Sequence, residues 1–435
     1  MRFNWFSPLP PSRTDIANYT ARVLPALARE AEVVLWTDQE EWDPALERHA
    51  RVQPFRPDRI PWPEINRGDV CFYNLGNNAE FHLAIFKICK LHPGVVILHD
   101  FCLQEFFAYY YRWLKGDQAG YVEQMARYYG EVGRRDAELW WNDRLDMPYL
   151  VERYPLTPLA LANALGVVVH TEQALAFARG DKYAIASAPL PYPASNLSAR
   201  PLPLGHCRAR HPPYTLVVFG FIHRNRRLES LFRALAGMPE KHQFRLDIYG
   251  ELWDPAHVQS QVEDLGLGEI VTINGFVSEP ELDAALSAAD LAVNLRYPSM
   301  GEASGSQLRI WDHALPTLVT RVGMYASLPD ATVAFVRPEH EIEDLQFHLR
   351  AFLGDPSRFI RMGENGRHRL ERQHAPTSYA RILGDFARHV EPLRRRVLSQ
   401  QMTEMAGEQL AAWIEPTGSD QAFRRLAEEI RSLLA

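Results

Sequence analysis

Tyr297-Pro298-Ser299-Met300-Gly301-Glu302-Ala303-Ser304-Gly305-Ser306-Gln307-Leu308-Arg309-Ile310-Trp311-Asp312-His313-Ala314-Leu315-Pro316 lies between two apolar runs, residues 289–295 and 317–320, and its reading decides the fold. Runs of that kind read as buried strands. Between them a polar loop turns into a helix that begins at Ser304, Gly305 and Ser306. The hydroxyls can cap it, the glycine lets the backbone approach a ligand, and the free N–H groups with the helix dipole favour an anion. Glu302 stands just ahead. A hydroxyl-binding acid beside a phosphate-binding helix start suits a nucleotide-activated sugar, although a plain capped helix with an acid in its loop has the same residues.

Upstream of this stretch the same alternation recurs. Residues 214–221, 244–249 and 270–273 read as strands, and 227–235, 255–265 and 280–288 as the helices between them. The first half opens with a strand at 2–6 and a proline-rich turn. A helix over 16–29 follows, with Ile16, Tyr19, Val23 and Leu27 on one face and Thr14 or Asp15 as its cap. Strands at 31–36, 70–75, 94–98 and 166–169, with a helix at 79–90, complete a pattern that predicts a parallel sheet covered on both faces. Ligands of such sheets gather at the carboxyl ends of the strands. Here those ends read Gly76-Asn77-Asn78, His99-Asp100 and His170-Thr171-Glu172. One such end is ordinarily a turn; three in one half point to a cleft.

Residues 101–150 form an aromatic insertion, with Phe106, Phe107, Tyr109, Tyr110, Tyr111, Trp113, Tyr121, Tyr128, Tyr129, Trp140 and Trp141 at helical spacing. Packing explains that spacing; stacking on a sugar or resting on a membrane surface would use it too. Prolines crowd residues 189–213, the best linker in the chain. The expected division is 1–190 as a Rossmann-like acceptor-side domain, 191–213 as linker, 214–375 as a nucleotide-sugar-binding Rossmann-like domain, and 376–435 as C-terminal helices packing back on the first domain. Two α/β halves on a linker place a crevice between them. Residues 357–390 read as helical, and the basic cluster at their end, Arg388-His389-Val390-Glu391-Pro392-Leu393-Arg394-Arg395-Arg396, reads as a solvated face, or as contact with anionic lipid or a partner.

The bulk numbers exclude several classes. A net charge of -7 argues against nucleic-acid binding as the main activity. No run reaches the roughly 18 to 20 apolar residues of a membrane span, and the early prolines do not suit a signal peptide. Cys71, Cys89, Cys102 and Cys207 have no zinc or disulfide spacing, so reduced thiols in the cytoplasm are expected.

In the second half, Gly220-Phe221-Ile222-His223-Arg224-Asn225-Arg226-Arg227 sits between a strand and a helix, where guanidinium groups can pair with a diphosphate. Asn274-Gly275-Phe276-Val277 ends another strand with a flexible glycine and an aromatic suited to a base. With Glu302 and Ser304-Gly305-Ser306, these pieces come from three strand ends on one rim. In this order, together with Ser7-Pro8-Leu9-Pro10-Pro11, Leu75-Gly76-Asn77-Asn78, Leu98-His99-Asp100 and Val169-His170-Thr171, the chain resembles the nucleotide-sugar glycosyltransferases of the two-Rossmann-domain (GT-B) type, specifically the retaining family 4. The resemblance leaves out the insertion and the tail beyond Pro392.

That resemblance implies a metal-independent, cofactor-free enzyme moving a sugar with retention from a nucleotide-sugar donor to a hydroxyl, with a glycan or glycolipid acceptor of bacterial surface assembly. It implies a cytoplasmic protein, with peripheral contact at the inner face of the membrane as a further expectation. Glu302 would hold donor-sugar hydroxyls, and Ser304, Gly305 and Ser306 would face the diphosphate. Arg226, with Arg227 beside it and Gly220 before it, would bind phosphate, and His99 would lie against the transferred sugar. Asn274, Gly275, Phe276 and Val277 would flank the base, while Asp15, Asn77, Asp100 and His170 fall on the acceptor side. Many members carry a second Glu, which binds the ribose, eight positions after the first. Here that position is Ile310, with Arg309 before it and Asp312 about 200° around the helix. Where relatives often have Ser-Gly after the proline turn, this chain has Thr14-Asp15. Two other classes share these features: a non-catalytic sugar-nucleotide-binding subunit of a partner enzyme, and a sugar-nucleotide epimerase on the same two-domain plan.

Overall fold

Seven strands of the first half pair in the order β3-β2-β1-β4-β5-β6-β7: β1 Arg2–Phe6, β2 Glu32–Thr37, β3 Arg51–Pro54, β4 Val70–Leu75, β5 Gly94–Leu98, β6 Ala164–Val169 and β7 Ala184–Ser187. In the second half β8 Tyr214–Phe219, β9 Phe244–Tyr249, β10 Val271–Gly275, β11 Leu291–Asn294, β12 Thr317–Thr320 and β13 Ala334–Val336 pair in the order β10-β9-β8-β11-β12-β13. Every pairing is parallel. The computed structural model describes residues 1–179, 183–194 and 211–395, with 397–399, 402–403, 406–407 and 428. Most of the expected linker, Cys207, Arg396 and most of the tail lie outside the described residues.

These are two Rossmann-like parallel sheets, as the alternating pattern predicts, in the GT-B arrangement that the resemblance implies. β4, β5 and β6 of the first sheet and β11 and β12 of the second are buried at every position, because helices cover both faces. In each sheet the strand order reverses next to the first strand, beside β1 and beside β8. A doubly wound sheet opens a crevice at the carboxyl ends of the strands there. The loops after β1, β4, β8 and β11 are therefore the ones placed to hold a ligand.

Helix Asp15–Glu30 starts where Thr14 Oγ1 accepts from Ile16 N at 3.4 Å. Its inner face buries Tyr19, Val23, Leu24 and Leu27; removing each of the three aliphatic side chains from water contributes about 2 kcal/mol. The partner surface is helix Pro376–Val390, and the hydroxyls of Tyr19 and Tyr379 are 2.7 Å apart. One apolar cluster runs from Trp5 and Leu27 of the first half to Leu308, Trp311 and Tyr325 of the second. His374 fastens the crossing: its Nδ1 lies 2.7 Å from Leu190 O, and its own carbonyl accepts from Tyr192 N at 2.8 Å.

Three strands and one break depart from expectation. β3, β7 and β13 are short, and β3 and β7 are only partly buried edge strands, so none carries a strong apolar run. The helical span expected over 357–390 is two helices, Pro356–Gln373 and Pro376–Val390. Pro376 lacks the N–H and the conformational freedom to continue the first helix, and is well placed to start the second. The aromatic insertion is helical: Gln104–Tyr109 runs into a π-helical segment Tyr110–Lys115, then Gln118–Trp141.

Candidate functional site

The loop after β11 docks on the carboxyl end of β5. Met300 O accepts from Cys102 N at 2.8 Å, and Ala303 N donates to His99 O at 3.3 Å. Gly301 has φ +70°, and a Cβ there would press on Phe101 of the first half. Glycine lets this loop lie against the opposite half of the molecule.

Glu302 sits inside that loop. Its Oε2 accepts from Met300 N at 2.7 Å and from Ser299 Oγ at 3.0 Å. Its Oε1 lies 2.9 Å from Arg296 Nε, an ion pair whose alignment makes no hydrogen bond. One carboxylate oxygen is thus fixed by the loop while the other is sheltered and retains unused accepting capacity. Arg296, which the sequence reading did not single out, is held charged by Glu302 and Tyr325 against the opposing effect of burial. Its signal in the sequence was a cation closing the apolar run just before the loop.

Arg226 lies in the neighbouring loop, after β8. It is almost wholly buried, and its guanidinium donates to Asn294 Oδ1 at 2.7 Å, to Phe219 O at 2.8 Å and to Phe221 O at 3.4 Å. All three acceptors are neutral. Burial, then the nearby Arg296, pushes it down to about 9, so it stays charged at neutral pH. Gly220, at φ +106°, leaves room for this side chain: a Cβ there would come within 2.7 Å of an Arg226 nitrogen and 3.9 Å of Ser306 Oγ. Asn294 links Arg226 onward to Gln307, at 3.1 Å, in the first turn of helix Gly305–Asp312. Ser304 caps that helix by accepting from Gln307 N at 3.1 Å. Gly220, Arg226, Ser304, Gly305 and Ser306 are thereby gathered around one helix start.

Arg227, expected beside Arg226, points elsewhere. Its backbone is left-handed, φ 57°, which turns the guanidinium to Glu341 at 2.8 Å, with Ser230 bound to the same carboxylate. It clamps two helices and does not join the group around Arg226. Asp15, expected on the acceptor side, instead crosses to the start of helix Gly305–Asp312, where a Cβ on residue 305 would collide with its carboxylate. Asn274 and Phe276 are exposed at the end of β10, with Gly275 (φ 68°) turning the chain between them. Arg13 of the first half lies over the Phe276 ring, 4.7 Å from its centroid.

The opposite rim is made of groups held away from their usual charge states. His99 Nε2 contacts Asn74 Oδ1 at 3.0 Å, and burial with the neighbouring His170 and His82 keeps the ring neutral. His170 Nδ1 faces Ala188 O at 2.9 Å and so carries the proton, leaving Nε2 as a sheltered lone pair without a partner. Burial pushes His170 down to about 4. Asp100 accepts from Asn77 N at 2.7 Å and is pushed up to about 7, mainly by burial. Asn77 also bonds Glu105 and Phe106 N, tying this rim to the aromatic insertion.

Ile310 lies in an apolar cluster with Val217, Phe219, Leu286, Ala292 and Leu315, and is 1% exposed. The adjacent Arg309 faces the rim, 2.9 Å from Glu279 and 2.7 Å from Asp283. Among the described residues no group of His, Cys, Asp and Glu side chains is arranged to hold a metal ion, and no helix is long and apolar enough to cross a membrane.

Comparison with known proteins agrees with this fold. Residues 208–369, the second half, match the family described as glycosyl transferases group 1. No curated protein sequence matches the chain. Among solved structures, sucrose-phosphate synthase from Thermosynechococcus elongatus superposes with a TM-score of 0.60 at 18% identity, covering 90% of this chain and 99% of its own. HepE of Anabaena with UDP and glucose gives 0.59 at 13%, covering 89% and 99%. WaaG, a glycosyltransferase involved in lipopolysaccharide biosynthesis, gives 0.54 at 17%, covering 88% and 98%. At these identities the likeness is one of fold.

Proposed function

We propose that the protein is a retaining glycosyltransferase that takes a sugar from a nucleoside-diphosphate donor and passes it to a hydroxyl. One observation carries this: Arg226 is a buried cation bonded only to neutral acceptors, beside a capped helix start. A buried charge of that kind is costly unless an anion joins it. The group 1 match over the same residues, and neighbours crystallised with UDP or UDP-glucose, support the nucleotide.

In this reading the diphosphate lies between Arg226 and residues 304–306, and the sugar's hydroxyls donate to Glu302 Oε1, the oxygen that also faces Arg296. His99, neutral, borders the anomeric carbon. As the bond from that carbon to the phosphate oxygen breaks, charge builds on the diphosphate where Arg226 and the helix dipole already act, so no metal is needed. The acceptor oxygen bonds to the same face, and its proton passes to the departing phosphate. The base rests on Phe276, and Glu279, held by Arg309, is the carboxylate offered to the ribose in place of residue 310.

The acceptor side comprises Asn77, Asp100 and His170. Tyr109, Trp113 and Leu114 are exposed on the insertion with Arg112 and Lys115 among them. Aromatic and cationic side chains together fit an anionic membrane surface, which suits a glycolipid acceptor in surface glycan assembly and peripheral placement on the cytoplasmic face.

A panel of UDP-, GDP-, dTDP- and ADP-sugars, followed by calorimetry and by release of the nucleotide, tests the proposal. Binding and turnover of at least one, unaffected by EDTA, is expected; silence across the panel would overturn it. An epimerised donor, formed without acceptor, would favour the epimerase. Activity confined to mixtures with a partner enzyme would favour the regulatory subunit.

A further inference from the structure

Two side chains from one turn of the first half lie on the donor side of the second. Asp15 packs its carboxylate on Gly305, the first residue of the helix whose start faces Arg226. Arg13 lays its guanidinium on Phe276, the exposed ring at the end of β10. Each contact has the chemistry of the ligand part it would stand in for: an anion at a helix start near a buried cation, and a flat delocalised group on an aromatic face. We infer that this turn supplies a built-in occupant of the donor seat, with Asp15 over the diphosphate position and Arg13 over the base position, so that nucleotide enters only as these two side chains swing away. This rests on the donor placement proposed above.

The turn's backbone is anchored, with Leu9 buried and bonded both ways to Gln39 and Pro10 O accepting from Asp43 N, but the two side chains are weakly held, as a displaceable occupant must be. Asp15 is more than half exposed, and its ion pair is with Arg22 at 3.4 Å, a surface contact of little strength. Arg22 in turn reaches Glu279 of the second half at 3.8 Å and lies over the Tyr192 ring. Swinging these two exposed side chains aside therefore exchanges Asp15 and Arg13 for ligand without breaking a buried bond. The carboxylate cannot stay: against Gly305 it would face the incoming diphosphate with like charge.

The measurement is calorimetric binding of UDP and GDP to the full chain and to its Asp15→Asn, Asp15→Ser and Arg13→Ala variants, with and without Mg2+. Both Asp15 variants should bind the preferred nucleotide at least tenfold more tightly than the parent, and Arg13→Ala should also tighten it. Binding by the variants where the parent is silent supports the inference equally. Equal or weaker binding by folded Asp15 variants overturns the inference while leaving the donor reading intact. Binding that Mg2+ strengthens in the parent but not in Asp15→Asn also overturns it, since Asp15 would then be a metal ligand. Silence of every variant overturns the donor reading and this inference together.

Discussion

Arg296 Nε and Glu302 Oε1 stand 2.9 Å apart with both side chains mostly out of solvent, 16% and 12% exposed. Arg296 ends the segment after β11, and Glu302 lies six residues on, in the loop that docks on β5. The pair therefore closes the loop that joins the halves. Removing one partner of such a pair strands the other in a poorly solvated place. Arg296→Met should destabilise the protein by about 3 kcal/mol, read from urea unfolding. The double variant Arg296→Met/Glu302→Gln should cost less than the sum of the two single ones. Strict additivity would show that the pair is not coupled.

Arg226 predicts a separation of binding from folding. Arg226→Met leaves Asn294 Oδ1 and two carbonyls without their donor, a loss of about 1–3 kcal/mol. The nucleotide loses its charged partner, so affinity for UDP or its preferred analogue should fall at least tenfold. Calorimetry at a temperature where circular dichroism shows the variant folded separates the two effects. Undiminished affinity would remove Arg226 from the site.

The first half carries groups with opposing responses to pH. His82, His92 and His170 are each pushed down to about 4 by burial. Below their ordinary value near 6.5 the unfolded chain binds protons that the folded one refuses, so stability is lost as pH falls from about 6.5 towards 4. Asp100 has the opposite sign. Its folded value is raised to about 7, so it takes protons the unfolded chain does not, and its contribution is lost as pH rises from about 4 to 7. Asp100→Asn should therefore make stability climb more steeply between pH 4 and 6.5, and His170→Asn should flatten that climb. Urea midpoints across this range decide it; unchanged slopes in both variants would contradict these burial effects.

Much of this was legible in the sequence because buried parallel strands write themselves as continuous apolar runs, and their polar ends then fall on one rim by topology. That logic singles out Glu302, Arg226 and residues 304–306, and the fold sets them on neighbouring loops. Arg227 was misplaced because a left-handed backbone at a non-glycine residue has no signature in composition, and Glu341 lies more than a hundred positions away. Asp15 was misplaced for a different reason: only the docking of the two halves brings it to Gly305. Arg296 was overlooked as a strand-end cation because its partner becomes evident only when the loop closes. β3 and β7, short and partly polar, carry too little apolar signal to be read alone.

The ribose is where the sequence pattern and the structure part most clearly. Ile310 fills an apolar pocket between the sheet and helix Glu279–Ala288, so Ile310→Glu would bury an unpaired charge and should cost about 4 kcal/mol or more. It would not create a sugar contact. The carboxylate at the rim is Glu279, three residues beyond Phe276 and fixed at 2.9 Å by Arg309. A carboxylate there can accept from a ribose hydroxyl, whereas an amide at the same place accepts more weakly. The parent protein should therefore bind UDP, or whichever nucleotide it prefers, more tightly than the 2′-deoxy form, and Glu279→Gln should erase most of that preference. Because Glu279 is mostly exposed, the substitution should leave the unfolding midpoint within about 0.5 kcal/mol of the parent. A ribose preference that survives the substitution would assign the contact to another residue.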